Sequence, residues 1–467
     1  MSHSRVLLLV VAVVALAGLP VVIRAQNAPL AAAETALGGR AVTSLTITGS
    51  GSSAMIGQGQ AAGVSTKWVL NNYTQETNFA APALRVTLDR AMLDGSVPFG
   101  GTRQIWVLAD GVGWNVGANG NPAALNPRPD VQWSSLEERQ LQVWLSTPQG
   151  FIKAAQANRA TTRAQAQGTA VAFTAPGGIR VRGVLNRSNL VERVEAVFDH
   201  PILGDMVVET TFHDYKAFGA LQFPQRIVQR HGGLTTLDLN VSAVEANRAP
   251  VIDVPATMRA AQPAAVRVTA EPIGRGAWVL TGGSHHSVLI EFADHLALVD
   301  APLGDARVNA VIAEAARLAP NKPIRYLIQS HHHFDHQGGT RAAAAEVQTI
   351  LTGASSREYW EGLLQRPRTS RDKLAQRAAK PTVEGVALKR VLSDATRTVE
   401  LYAIPFNGHV DEMLYVYLPE EKAVIQVDGQ PAGVLAQIER LKLDVSTHVP
   451  LHGNRQTIAE LRTAAGR

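Results

Sequence analysis

The sequence predicts an α/β protein in which a layered C-terminal α/β domain follows a β-rich N-terminal domain with a few helices. Three observations carry that expectation. The first is length, because 467 residues exceed the size at which one hydrophobic core keeps growing, so two domains are expected. The second is a change of pattern: alternating, strand-like stretches fill 178–246, whereas strand, helix and strand succeed one another from 276 onward. The third is "SHHHFDHQGG" at 330–339, which sets four histidines and an aspartate into six positions directly after an apolar strand.

Taken from the N-terminus, Arg5 precedes an apolar run from Val6 to Ile23, and Ala25 in "RAQN" offers a small residue at a cleavage point. This reads as a secretory signal over residues 1–25, with an uncleaved membrane anchor as its competitor and a periplasmic or secreted protein as the consequence. The net charge of +5 is spread evenly, with no basic tail or stripe, so neither nucleic acid nor a membrane surface is expected as a partner. Cysteine is absent, which excludes disulfides, thiolate catalysis and cysteine metal sites. Any metal must then be held by His, Asp and Glu.

Residues 26–262 are expected to form the β-rich domain. Its Gly/Ser-rich segment 48–63 reads as loop or hairpin rather than core. Ser135 with Glu138 three residues later is a capping-box pattern ahead of the helical "RQLQVWLS". "GIRVRGVLN", "VERVEAVFD", "MVVETTFHDY" and "LDLNVSAVEA" read as strands of an antiparallel sheet with one wet face. Trp68, Trp106, Trp114, Trp133 and Trp144 lie in this half, where core and turn packing is the expected role and an apolar ligand groove the alternative.

Pro250, Pro255 and Pro263 interrupt 247–268, which reads as a linker to a domain over 263–467. Strand-like "GAWVLTGG", "SVLIEFAD" and "LALVDAP" then lead to a helical "GDARVNAVIAEAARLA", the strand "IRYLIQS" and the histidine cluster. An extended backbone aims His331 and His333 to one side and His332 to the other, a chelating geometry. Asp335 and His336 follow where the chain must turn, with Gly338 and Gly339 easing the turn. Two ligand sets from one loop indicate two metals.

The run His331-x-His333-x-Asp335-His336 resembles the signature of the metallo-β-lactamase superfamily, and further ligand-type residues follow in family order: His409, Asp428 at the end of a hairpin, and His452 in "VPLHGN". The resemblance covers 270–467 and implies an αββα fold. It further implies that His331, His333 and His409 bind one metal, that Asp335, His336 and His452 bind the other, and that Asp428 bridges them. One departure is that Val427 precedes Asp428 and Gly429 follows it, whereas the family usually has glycine before the bridging aspartate. Imidazole and carboxylate suit zinc at about 2.0 to 2.2 Å, and the same donors accept iron or manganese. A water ionised between two such cations is a nucleophile at neutral pH, and Asp335 is placed to orient it and accept its proton.

Neighbouring residues carry separate expectations. His332 is expected to be packed or solvent-facing, and His448 to be hydrogen-bonded and structural. His285 and His286 are candidates for touching substrate, whereas His200, His213 and His231 belong to the other domain. The basic stretch 355–380 is either a solvated helix pair or a flap, with Arg366, Arg368 and Arg371, over the metals.

The resulting expectation is an exported dinuclear zinc hydrolase of a small-molecule ester, thioester, lactone or phosphoester, with Asp335 as its catalytic residue. β-Lactam hydrolysis is disfavoured, because β-lactamases of this superfamily place a cysteine, or no acidic bridge, where Asp428 stands. Two alternatives stay open: a mononuclear iron oxidase resembling the persulfide dioxygenases of the same fold, and a carrier whose β-rich half captures an apolar ligand. Substrate and oligomeric state are not legible.

Overall fold

Every pair of neighbouring strands in the N-terminal half is antiparallel, and together they make one 13-stranded sheet from two meanders. The first runs outward from Ser44–Met55, the second inward to Leu234–Ala246, and these two strands pair at the seam. This computed structural model describes residues 19–96, 101–117, 119–125, 135–262, 265–369, 373–405 and 408–467, with side chains from 28 onward.

The four strands expected over 178–246 are present, as Ile179–Leu185, Val191–His200, Gly204–Phe218 and Leu234–Ala246. The expected loop or hairpin at 48–63 is part of a hairpin, in which Gly51–Met55 pair with Thr66–Leu70 across the connector 56–65; the expectation that it lies outside the core is corrected for Ser53, Ala54 and Met55, which are buried. Gly49 and Gly51 serve close backbone approach rather than a turn. A Cβ on Gly49 would lie 2.3 Å from Asn240 O, and one on Gly51 2.0 Å from Asp238 O, so side chains there would push the seam apart.

Three helices pack on the sheet. Leu30 and Ala33 of Leu19–Ala36 and Phe151 and Ile152 of Pro148–Ala157 are buried in the shared apolar core. Between them, Leu136–Leu145 starts at the expected cap, where Ser135 Oγ accepts from Glu138 N at 3.1 Å. The Glu138 carboxylate bonds His231 Nε2 at 2.8 Å. Trp68, Trp114 and Trp144 pack as expected, Trp68 under the Arg90 guanidinium, while Trp133 lies outside the described residues. The helix Leu19–Ala36 runs through the cleavage point expected at Ala25, and residues 1–18 of the expected signal lie outside the described residues. No helix of the described residues is long and apolar enough to cross a membrane.

The linker region is partly packed, with Ile252, Val254 and Met258 against a small cluster at the edge of the large sheet. The division proposed at 262/263 sits beside 263–264, which are outside the described residues. Beyond it lie a seven-stranded sheet from Thr269–Gly274 to Thr382–Val386 and a six-stranded sheet from Lys389–Ser393 to Gln456–Thr457. Inner strands of the first are buried on both faces: Val288 and Ile290 enter the core between the two sheets, and Leu289 enters the helix layer behind. Ala297 and Val299 alternate with Leu296 and Leu298 in the same way, which explains the unbroken apolar run "LALV". Helix Asp305–Leu318 covers the outer face of the first sheet, and Pro431–Leu441 and Ile458–Ala464 cover the second, giving the expected αββα layers.

A candidate dinuclear metal centre

Parallel strands bring the donors to one edge, because their C-terminal ends lie side by side. Leu296–Val299 pairs in parallel with Ile324–Ile328, and Ala423–Gln426 with Thr447–Pro450. Just past these four ends come Asp300, the cluster His331–His336, Asp428 and His452. His409 enters from the turn before Glu412–Leu418, and His285 from the turn before Ser287–Glu291.

Asp428 is the centre. Its carboxylate lies 3.0 Å from His336 Nε2, 3.3 Å from His409 Nε2, 3.4 Å from His452 Nδ1 and 3.7 Å from His331 Nε2. His333 Nδ1 faces His409 Nε2 at 3.0 Å. Ligand atoms of His331, His333, His409 and Asp428 all fall within 4.8 Å of one another, as do those of Asp335, His336 and Asp428. Asp428 has φ +50, a left-handed conformation that aspartate tolerates better than most residues.

Hydrogen bonds on the far side of each ring fix which nitrogen faces the centre. Ser330 Oγ donates to Asp300 at 2.7 Å and so accepts from His331 Nδ1 at 3.2 Å, leaving His331 Nε2 with a lone pair directed inward. His336 Nδ1 donates to Asp300 Oδ2 at 3.2 Å, and His333 Nε2 donates to Gly59 O at 2.9 Å. The buried Nε2 of His331 has no hydrogen-bond partner, and that of His336 faces Asp428 Oδ2 at 3.0 Å. Lone pairs aimed at one another around a carboxylate are the arrangement that a cation resolves, so the donor set fits divalent metal.

Electrostatics agree with that fit. Burial holds His331 well below the ordinary imidazole value, aided by the rings of His333 and His336, and burial brings His333 down to about 3. These two neutral rings present the lone pairs that metal binding requires, whereas His336, despite its burial, is held well above the ordinary imidazole value by Asp300 and Asp428, so a metal there would displace its proton. Burial alone would raise Asp428, but hydrogen bonds from His336, His409 and His452 hold it well below the usual carboxylate range. Asp335 is also below that range: burial opposes it, and His285 hydrogen-bonds its ionised form.

The seven residues expected at the site therefore come together, and the structure adds three that sequence reasoning had not assigned, Asp300, Gln58 and Gly59, besides giving His285 contacts within the site. Asp300, fully buried, accepts from Ser330 N at 2.7 Å and Gln337 Nε2 at 2.8 Å besides its contacts with Ser330 Oγ and His336. His285 is buried, lies 3.3 Å from Asp335 Oδ2 and stacks on His452 with ring centroids 4.2 Å apart. It also groups with His336 and His452 as a possible ligand set, which places this candidate for substrate contact among the donors themselves. From the connector 56–65, between two strands of the large sheet, come Gln58, whose Nε2 donates to Asp335 Oδ1 at 2.8 Å, and Gly59, whose carbonyl accepts from both His332 and His333.

His332 is packed, and His448 is hydrogen-bonded to Gln426 and Gln456. Gly339 serves close packing rather than the turn, since it has φ −101 and a Cβ on it would lie 2.2 Å from Val308 Cγ2. The flap over the metals is overturned for Arg368, which bonds Asp199 of the large sheet and Asp305 of the C-terminal half, both at 2.6 Å. Arg371 lies outside the described residues.

A family model described as the metallo-beta-lactamase superfamily matches residues 280–425, which leaves Asp428 and His452 beyond the matched span. Among solved structures, the chain is similar to metallo-β-lactamase FIM-1 from Pseudomonas aeruginosa in its mono-zinc form, at 22% identity over 44% of this chain and 96% of that one, with TM-score 0.34. It is also similar to a metallo-β-lactamase from Hirschia baltica, at 18% identity over 43% and 96%, with TM-score 0.33. Rubredoxin oxygen:oxidoreductase from Desulfovibrio gigas is similar at 17% identity over 42% and 60%, with TM-score 0.34. No curated protein matches the chain.

Proposed function

Because residues 280–425 belong to the metallo-β-lactamase superfamily, we propose that the chain is an exported, dinuclear metal-dependent hydrolase of a small-molecule ester, thioester, lactone or phosphoester. The observation that carries this reading is the convergence of four imidazoles on the Asp428 carboxylate, with Asp335 beside them. In this reading His331, His333 and His409 form one donor set and Asp335, His336 and His452 the other, supported by the clusters His331–His333–His409–Asp428, Asp335–His336–Asp428 and His285–His336–His452. Two cations held there, zinc by donor chemistry, would ionise water near neutral pH and polarise the oxygen of the bond to be cleaved.

The chain's own residues do the rest. Asp428 lies between the sets, and its negative charge offsets the repulsion of two cations. Asp300, Ser330 and Gly59 hold the rings so that no reorientation is needed when charge develops. Asp335 is restrained at both carboxylate oxygens, by Gln58 and His285, and accepts the proton of the attacking water at Oδ2.

The test is metal analysis of the full chain, followed by turnover of ester, thioester, lactone, β-lactam and phosphodiester substrates by zinc-loaded protein. Two zincs per chain, with hydrolysis lost in Asp335→Ala and Asp428→Ala, is the expected result. Protein that takes up no metal would overturn the reading. One iron per chain with oxygen uptake would replace it by the oxidase alternative. N-terminal sequencing of exported protein, expected to begin near Gln26, checks the secretory part.

A further inference from the structure

We propose that the N-terminal sheet holds a second binding site, for a neutral molecule with an aliphatic chain, whose occupancy is linked to metal binding. A cavity of ≈ 140 Å³ lies between the sheet and helix Leu136–Leu145. At the ~10–15 Å³ that one water position takes, it has room for about ten non-hydrogen atoms. Ile47, Val86, Leu88, Ile227 and Leu239 supply much of its lining, and Phe334 closes one wall. Phe334 belongs to the metal loop, directly between His333 and Asp335.

Polarity selects the ligand. Among the described residues that line the cavity there is no lysine or arginine. Its two carboxylates already have partners, Asp199 in Arg368 and Glu138 in His231. A fatty-acid carboxylate would therefore meet no lysine or arginine, and the His231 ring in the lining is already engaged by Glu138 and Thr236, whereas an alcohol or ester loses little on entry. One lining group does lack a partner: the Ser53 hydroxyl, buried and without a hydrogen bond, is placed to bond a single neutral head group.

The link to the metal loop is covalent and short. Ser53, Ala54, Met55 and Ile56 line the cavity. The next four residues grip the metal site: Gly57 O accepts from Phe334 N at 3.0 Å, Gln58 bonds Asp335, Gly59 O accepts from His333, and Gln60 O accepts from Asp411 N at 2.9 Å. Gly57 has φ +72, and a Cβ there would lie 2.2 Å from the Phe334 ring, so this contact has no slack. A ligand that moves Ser53–Ile56 or Phe334 shifts groups that orient the donors, and by linkage the same factor must appear in both affinities.

The experiment uses the full chain, with and without zinc, and the small neutral fluorophore 1-aminonaphthalene as probe, a molecule about the size of decanol. Saturable binding is expected, with displacement by decanol at about 10-fold lower concentration than by decanoate, because the carboxylate would be buried unpaired. Ser53→Ala should weaken decanol about 5-fold through the lost hydrogen bond, and Leu237→Trp, on the wall, should abolish binding. Decanol should shift zinc affinity about 3-fold or more, and zinc should shift decanol affinity by the same factor. No saturable binding, equal displacement by decanoate, or an unaltered Ser53→Ala protein would overturn the site. Binding without the reciprocal shift would overturn its link to the metals. None of these readouts needs turnover, so they stand or fall separately from the hydrolase reading.

Discussion

Gln58 Nε2 donates to Asp335 Oδ1 at 2.8 Å, joining residues 277 positions apart, one in a connector of the N-terminal half and the other in the metal loop. Asp335 is thereby held by the N-terminal half as well as by its own loop. Gln58 touches no other donor of the site, so its removal isolates the orienting effect. We expect Gln58→Ala to fold with stability within about 1 kcal/mol of wild type, yet to weaken the second metal about 10- to 100-fold, as loss of an outer-shell partner does. Chelator competition measures this. Equal affinities in the two proteins would show that Asp335 needs no such support.

Asp300 presents a sharper case, because it is fully buried and its two oxygens accept from four groups on Ser330, His336 and Gln337. Alanine there would orphan all four donors and would also sit at φ +58, where a side chain without local hydrogen bonding is strained. A loss of about 3–5 kcal/mol is expected for Asp300→Ala. Asp300→Asn keeps the shape but turns an amide N–H toward a donor, so it should cost less and still weaken zinc binding. Urea unfolding of metal-free protein gives the first number, and a loss under about 1 kcal/mol would contradict the role given to Asp300.

The donors were legible and their supports were not, for a physical reason. Imidazole and carboxylate clusters at strand ends are rare enough in a chain to stand out, and His331, His333, Asp335 and His336 lie within six positions. Gly59 acts through a backbone carbonyl and Gln58 through a neutral amide, neither of which has a local signature. Glycine richness misled over 48–55, since Gly49 and Gly51 there admit a neighbouring backbone and do not make a turn. Asp300 carried one faint signal, a lone acid at the end of the apolar run "LALVD". The layers of the C-terminal half were readable because strands buried on both faces leave continuous apolar runs, as at Leu296–Val299.

Arg368 ties the two halves together. Its side chain is mostly buried, with Nε on Asp199 and Nη1 on Asp305. Truncation would leave two carboxylates facing each other across the junction, each still partly exposed, so screening limits the cost. We expect Arg368→Ala to lose about 1–3 kcal/mol and Arg368→Lys to recover only part of that, since an ammonium cannot span both acids with a planar fork. Thermal unfolding compares them. Full recovery by lysine would mean that charge alone matters at this junction.

His200 lies behind the metal loop, its ring 5.6 Å from that of Phe334, and its Nδ1 accepts from the backbone N–H of Ile202 and Leu203. Burial, with the nearby Arg368 guanidinium, brings its pKa down to about 3. The unfolded imidazole titrates near 6.5, so below that pH the unfolded chain takes up a proton that the folded chain refuses. Stability from this group is therefore full above about pH 6.5 and declines as the pH falls toward 3, with a limiting slope of about 1.4 kcal/mol per pH unit. His200→Asn keeps an acceptor for the two N–H groups and removes the titration. Subtracting the variant's unfolding free energy from that of wild type, in metal-free protein, should give a difference that is flat above pH 6.5 and falls below it. A flat difference across the whole range would mean that His200 takes up its proton in the folded chain as easily as in the unfolded one.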